Sequence, residues 1–137
     1  MELTLAQLQE LGSSHLPGLL GIEVLEAGGG RAHARLELRE AHRAPNGFLH
    51  AGTIVAFADT ACGYGCILSL PEGATGFTTI ELKTNFLRSA LEGTIECEAR
   101  LVHGGRTTQI WDATVLDPDG RPMAVFRCTQ LLLRPHV

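Results

Sequence analysis

Two rhythms of apolar and polar positions divide the chain. Over Arg31 to Leu38, Ala and Leu alternate with Arg, His and Glu, the period of two expected of a strand with one buried face. From Ala51 to about Leu70 the pattern changes. Ile54, Val55, Phe57, Ala58, Ala61, Cys62, Ile67 and Leu68 leave few polar sides, and the run is too long for a strand, so it reads as a buried helix. Residues 3 to 11 place Leu3, Ala6, Leu8 and Leu11 at roughly helical spacing, with Thr4 as N-cap and Gly12 as stop, giving a short amphipathic helix. Pro17-Gly18 then predicts a turn. Ile22 to Ala27 predicts a strand, closed by Gly28-Gly29-Gly30 into a hairpin with Arg31 to Leu38, and Arg39 to Leu49 is an irregular loop. After the stop at Pro71-Glu72-Gly73 come strand-like runs at Gly76 to Leu87, Glu92 to His103 and Thr107 to Leu116. The turn Asp117-Pro118-Asp119-Gly120 and a last strand, Pro122 to Leu133, complete the chain. The order β-β-α-β-β-β-β, with one apolar helix early and antiparallel strands after it, predicts an α+β domain whose sheet curls around that helix.

Length and composition narrow this picture. At 137 residues the chain holds one core and not two, so residues 1–137 are read as a single domain. Apolar residues at 45% and charged residues at 19% exclude a disordered chain. The longest apolar run is interrupted by Asp59, Gly63 and Gly65, which argues against a lipid-facing span. The start, Met1-Glu2-Leu3-Thr4, lacks the basic and cleavable features of a secretory signal, so a cytoplasmic location is the expectation. A formal net charge of −4 speaks against nucleic acid and anionic membrane as partners, and any anionic ligand needs a local Arg cluster. Cys62, Cys66, Cys97 and Cys128 show neither zinc-site nor disulfide-scaffold spacing. Cys62 and Cys66 share a helix face and could be proposed as metal ligands. Without a neighbouring His or second Cys pair they read as buried thiols, so no metal is expected.

Chemistry concentrates in Pro45-Asn46-Gly47-Phe48-Leu49-His50-Ala51-Gly52, which leads into the helix carrying Asp59. A helix N-terminus offers unpaired N–H groups and partial positive charge, so the amides of Ala51 and Gly52 are placed to hold an oxyanion. A carboxylate in apolar company is costly unless paired, and a desolvated one binds protons more readily and can serve as base or nucleophile. Asp59 fits that role and fits equally a structural acid hydrogen-bonded to a neighbouring strand. His50 reads as a scaffold residue that caps or orients the turn.

These residues resemble the hot-dog-fold acyl-CoA thioesterases, in particular the phenylacetate-degradation (PaaI-like) type. That family is marked by an Asn/Gly loop, a His-Gly-Gly turn, and an Asp or Glu nine residues after the His, the separation of His50 from Asp59 here. Thr78-Thr79-Ile80-Glu81-Leu82 through Asn85-Phe86-Leu87-Arg88 is similar to the family's next strand, and His103-Gly104-Gly105-Arg106 to its CoA-side turn. The resemblance implies that Asp59 attacks a thioester carbonyl or activates water, that the Ala51 amide is the oxyanion donor, that Asn46 adds a side-chain donor and that Thr79 orients water. Two positions depart from the pattern. Ala51 replaces the first Gly of His-Gly-Gly, and Ala44 stands six residues before the His, where the family usually has Asn or Gln.

If both groups act on one thioester, geometry adds a condition. Eight helical residues separate Ala51 from Asp59, about 12 Å at about 1.5 Å per residue, whereas a reacting carbonyl must lie about 3 Å from both. A second subunit must then supply the carboxylate, which a two-fold homodimer does twice over, and the family resemblance implies dimers or dimers of dimers. Coenzyme A, part of the substrate rather than a cofactor, brings phosphate charge. Arg88, Arg106 with Gly105 and Thr107, and secondarily Arg127 and Arg134, are its candidate contacts, a solvated strand face being the competing account of each. Phe48, Phe57, Tyr64 and Phe77 are candidate groove-lining residues, and an aromatic acyl group is implied by the family alone. The expected activity is acyl-CoA hydrolysis. A non-catalytic acyl-CoA or small-ligand binding protein is the alternative, and a hot-dog dehydratase or hydratase, which would want a catalytic His facing the substrate, ranks last.

Overall fold

The computed structural model describes residues 3–136. Its elements are α1 (Leu5–Gly12), α2 (Leu16–Leu20), β1 (Glu23–Gly28), β2 (Arg31–Glu37), a 3₁₀ turn (Glu40–His42), α3 (Ala51–Ile67), β3 (Gly76–Phe86), β4 (Thr94–Gly104), β5 (Thr108–Leu116) and β6 (Pro122–Leu133). The strands form one antiparallel sheet in the order β1-β2-β4-β5-β6-β3, and α3 packs against all six. This is the hot-dog arrangement that the resemblance implied, an α+β fold with its sheet around one long helix.

Strand alternation fixes which side chains meet α3. Ala32, Ala34 and Leu36 of β2, Ile95, Cys97 and Ala99 of β4, Trp111, Ala113 and Val115 of β5, and Phe126, Cys128 and Leu132 of β6 are buried against Ile54, Phe57, Ala58, Ala61, Cys62 and Cys66 of α3 in one core. Small residues let the helix approach the sheet closely. A Cβ built at Gly63 would stand 2.9 Å from Phe77 Cζ, and one at Gly65 would stand 2.6 Å from Trp111 Cη2.

Three expectations shift. Pro17-Gly18 makes no simple turn, since both residues lie in α2, where Pro in the first turn costs no hydrogen bond and Gly21, at φ 84°, supplies the left-handed end. The central helix stops at Ile67, three residues short of Leu70. There Gln109 Nε2 donates to Ser69 O at 3.0 Å and the Gly30 N–H donates to Ser69 Oγ at 3.0 Å, which tie the departing chain to the sheet. The loop from Arg39 to Leu49 contains the 3₁₀ turn, held by the buried His42.

α1 begins at Thr4 with a reciprocal capping box to Gln7. It lies along β1, where Gln9 Nε2 donates to Val24 O at 2.7 Å. At the opposite side, among the described residues, β3 pairs only with β6, leaving one edge of an 11-residue strand unpaired and exposing Ile80, Leu82 and Phe86. Among the described residues no helix is long and apolar enough to cross a membrane.

Candidate active site

The segment entering α3 is fixed by short-range bonds. The Ala44 N–H donates to Phe48 O at 2.7 Å and the Phe48 N–H to Asn46 Oδ1 at 3.1 Å, so Asn46 spends its oxygen closing the turn and keeps its NH2 group for another acceptor. Beneath the turn, the His42 carbonyl accepts from the His50 N–H at 3.0 Å and from Thr53 Oγ1 at 2.9 Å. The His42 ring is held on both sides: Nδ1 accepts from the Arg39 N–H at 3.1 Å, so Nε2 carries the proton and donates to Leu20 O at 2.7 Å.

His50 is the N-cap of α3, and its Nδ1 accepts from the Gly52 N–H at 2.7 Å. His50 thus caps the helix, and the Gly52 amide is turned to that cap rather than left open to an oxyanion. The Thr53 N–H is also bound, to His50 O at 3.0 Å. Among the described residues the Ala51 N–H has no protein acceptor, and Ala51 is exposed, so it is the open donor at this terminus.

Asp59 lies two turns further along α3, half-buried, with Thr79 Oγ1 at 3.1 Å from Oδ1. Thr79 reaches it from β3 just before a bulge at Ile80, where the register with β6 slips. Burial pushes the Asp59 carboxyl above its ordinary value, and the Thr79 hydroxyl opposes that by stabilising the charge. The thiols around it stay protonated: Cys62 is raised well above the usual range by its hydrogen bond to Cys128 and by burial. All four cysteines are free and buried, and among the described residues no group of three or more His, Cys, Asp or Glu is gathered to hold a metal. A helix terminus with one open amide and a desolvated carboxylate on the same rod suit acyl transfer to water.

Comparison with known proteins bears on that chemistry. A family model described as thioesterase superfamily matches residues 46–124, which include the turn, the helix and Asp59. The chain belongs to the thioesterase superfamily. It is 31% identical over 110 residues, 80% of this chain and 89% of the relative, to a 1,4-dihydroxy-2-naphthoyl-CoA hydrolase of Listeria monocytogenes. To the proofreading thioesterase EntH of Klebsiella pneumoniae it is 32% identical, covering 92% of this chain and 91% of that protein. Among solved structures, a mutant thioesterase of Pseudomonas aeruginosa superposes with a TM-score of 0.90 at 27% identity, covering 98% of this chain and 97% of the other. This thioesterase is therefore an enzyme that hydrolyses thioesters.

The thioesterase chain does not gather its candidate CoA contacts. The Arg88 N–H donates to Met123 O at the start of β6, while Arg134 Nη2 donates to Arg106 O beyond its end. Ten strand residues at about 3.3 Å each, roughly 33 Å of β6, separate the end that holds Arg88 from the end that holds Arg106 within one subunit. Gly105 and Thr107 belong to the Arg106 end, where the Gly105 N–H binds Thr108 O and Thr107 O accepts from the Leu132 N–H. Arg127 is clamped to Asp112, Nε to Oδ1 at 2.5 Å and Nη2 to Oδ2 at 2.8 Å, and Arg134 ties Glu72 O to Arg106 O, so both serve the scaffold. Of the proposed lining residues, Phe57 is fully buried core rather than groove, Phe48 is exposed, Phe77 packs on Gly63, and the Tyr64 hydroxyl donates to Leu8 O.

Sequence reading missed His42, Gln109 and Gln130. The two glutamines carry a signal, because each is a polar residue at an inward position of an otherwise regularly alternating strand. Gln109 accepts from Trp111 Nε1 at 2.8 Å, and Gln130 sits beside Thr79.

Proposed function

We propose that this thioesterase hydrolyses an acyl-CoA with an aromatic acyl group, as the phenylacetate-degradation type would, using Asp59 as nucleophile or general base and the Ala51 N–H as oxyanion donor. The observation that carries the reading is the pairing, on one continuous helix, of an open N-terminal amide with a desolvated carboxylate. The Listeria relative's name specifies an aromatic acyl-CoA, which favours that substrate class.

Because these two groups lie about 12 Å apart along α3, each reaction centre combines Ala51 of one protomer with the carboxylate of its partner. The unpaired β3 edge, with Ile80, Leu82 and Phe86 exposed, supports a two-fold interface there. Val125, Leu131 and Leu133, exposed on β6, support a second contact between dimers. The same pairing brings one protomer's Arg88 end toward its partner's Arg106 end, so the dispersed cations serve a shared substrate. The Asn46 NH2 adds a donor near the helix start.

The test follows free thiol release from a panel of aryl- and alkyl-CoA thioesters, with Asp59→Asn alongside. A loss of about 10²-fold or more is expected for the variant, the scale of removing a general base or nucleophile. Wild-type turnover in Asp59→Asn would remove the assignment, and no turnover on any CoA thioester would redirect the search to other thioester carriers or to a ligand-binding role.

A further inference from the structure

Gln130 is fully buried on β6, directly opposite Thr79 in the sheet register, and both side chains face α3. Its amide presents Oε1 to Thr79 Oγ1 at 2.7 Å and Nε2 to Cys128 Sγ at 3.4 Å. Thr79 Oγ1 also lies 3.1 Å from Asp59 Oδ1. One hydroxyl carries one proton, so Thr79 cannot donate to both oxygens.

Two arrangements satisfy every group. If Asp59 is protonated, its O–H donates to Thr79 Oγ1, Thr79 donates to Gln130 Oε1, and Gln130 Nε2 donates to Cys128 Sγ. If Asp59 is ionised, Thr79 donates to the carboxylate. Gln130 Oε1 would then face oxygen lone pairs at 2.7 Å, a contact relieved by a half-turn of the amide that sets its NH2 against Thr79 and its carbonyl against the Cys128 S–H. The direction of the whole chain follows the proton on Asp59.

We infer that Gln130 is a positioning residue: its buried amide oxygen, nearer to the Thr79 hydroxyl than Asp59 is, draws that hydroxyl's proton away from the carboxylate and thereby favours the protonated carboxyl. The groups facing Asp59 leave little else to do so. On α3 and β6 the titratable neighbours are the thiols Cys62 and Cys128. Glu81 and Lys83 of β3 pair in register with Thr129 and Arg127, on the face away from α3, where Arg127 binds Asp112 of β5. On β4, Glu96, Glu98 and Arg100 alternate with buried Ile95, Cys97 and Ala99, so they too face outward. Among the described residues the Thr79 hydroxyl is the hydrogen-bond donor that reaches Asp59.

The inference rests on Asp59 as the reacting carboxylate, but its test reads the carboxyl itself. The chain has four aspartates, Asp59, Asp112, Asp117 and Asp119, so side-chain carboxyl resonances of protein labelled at aspartate Cγ can be resolved and Asp59 assigned by its loss in Asp59→Asn. Gln130→Met removes the amide, and Gln130→Leu removes it with a different uncharged shape, guarding against a packing defect in either. In both, Thr79 is freed to donate to the carboxylate, and the Asp59 titration midpoint should fall by on the order of half a pH unit, equivalent to part of one hydrogen bond. Thr79→Val, which removes the donor itself, should raise it, and adding Gln130→Met to Thr79→Val should leave it unchanged. An unchanged midpoint in the folded Gln130 variants, or an equal shift with Thr79 already absent, overturns the inference. Turnover by Asp59→Asn judges the reaction and the resonance judges Gln130, so the two failures are told apart.

Discussion

Ala51→Pro deletes one hydrogen from this enzyme and leaves the helix in place. Ala51 is the first residue of α3, the position where Pro is best tolerated because its N–H has no helical acceptor. His50, at φ −66° and ψ 131°, already has the extended backbone that a residue before Pro requires. Since the Ala51 N–H has no protein acceptor among the described residues, no native hydrogen bond is lost and denaturation should shift by no more than about 0.5 kcal/mol. Losing an oxyanion donor should lower kcat by about 10²- to 10³-fold, or about 2.7–4 kcal/mol. The distance along α3 then supplies a second measurement. Ala51→Pro lacks the amide and Asp59→Asn the carboxylate, so a mixed dimer holds one centre with both halves intact and one with neither. Random reassociation of equal amounts makes half the dimers mixed, each with one working site of two, and thiol release should recover to about a quarter of the wild-type rate. Wild-type kcat in folded Ala51→Pro would refute the oxyanion role, and a mixture no more active than its parents would refute the shared site.

Three further outcomes follow from local geometry. Burial raises Asp59 above its ordinary 3.8, so the folded protein retains a proton that the unfolded chain releases, and stability falls as pH rises through that window; Asp59→Asn should therefore melt higher than wild type near neutral pH, the gap closing in acid, and wild-type activity should rise with pH along a limb above the usual aspartate range. Gly65→Ala would set a methyl 2.6 Å from Cη2 of the fully buried Trp111, and calorimetry should show a loss of about 1–3 kcal/mol. Gly52→Ala would place its methyl 2.9 Å from His50 Nδ1 and expel the cap, so chemical denaturation should show a loss of about 1 kcal/mol that His50→Ala reproduces and the double variant does not exceed.

The sequence by itself determined the elements and singled out the candidate pair. Alternation placed every strand within about two residues, Pro122 to Leu133 without error, because period-two burial is written in local residue order. The apolar run from Ala51 marked the helix, and its interruption by Asp59 marked the carboxylate, since an acid in such company stands out in one dimension. Tertiary structure decided what each group does. Gly52 reads as a second oxyanion donor until His50 folds back onto its amide, and Arg127 reads as a phosphate contact until sheet pairing brings Asp112 beside it. Arg88 and Arg106 belong together on paper and lie at opposite ends of β6 in the fold. Thr79 and Gln130 meet across 51 residues of chain. Periodicity records which face a residue takes; the partner it finds there depends on strand order, and strand order is set by the closing of the sheet over α3.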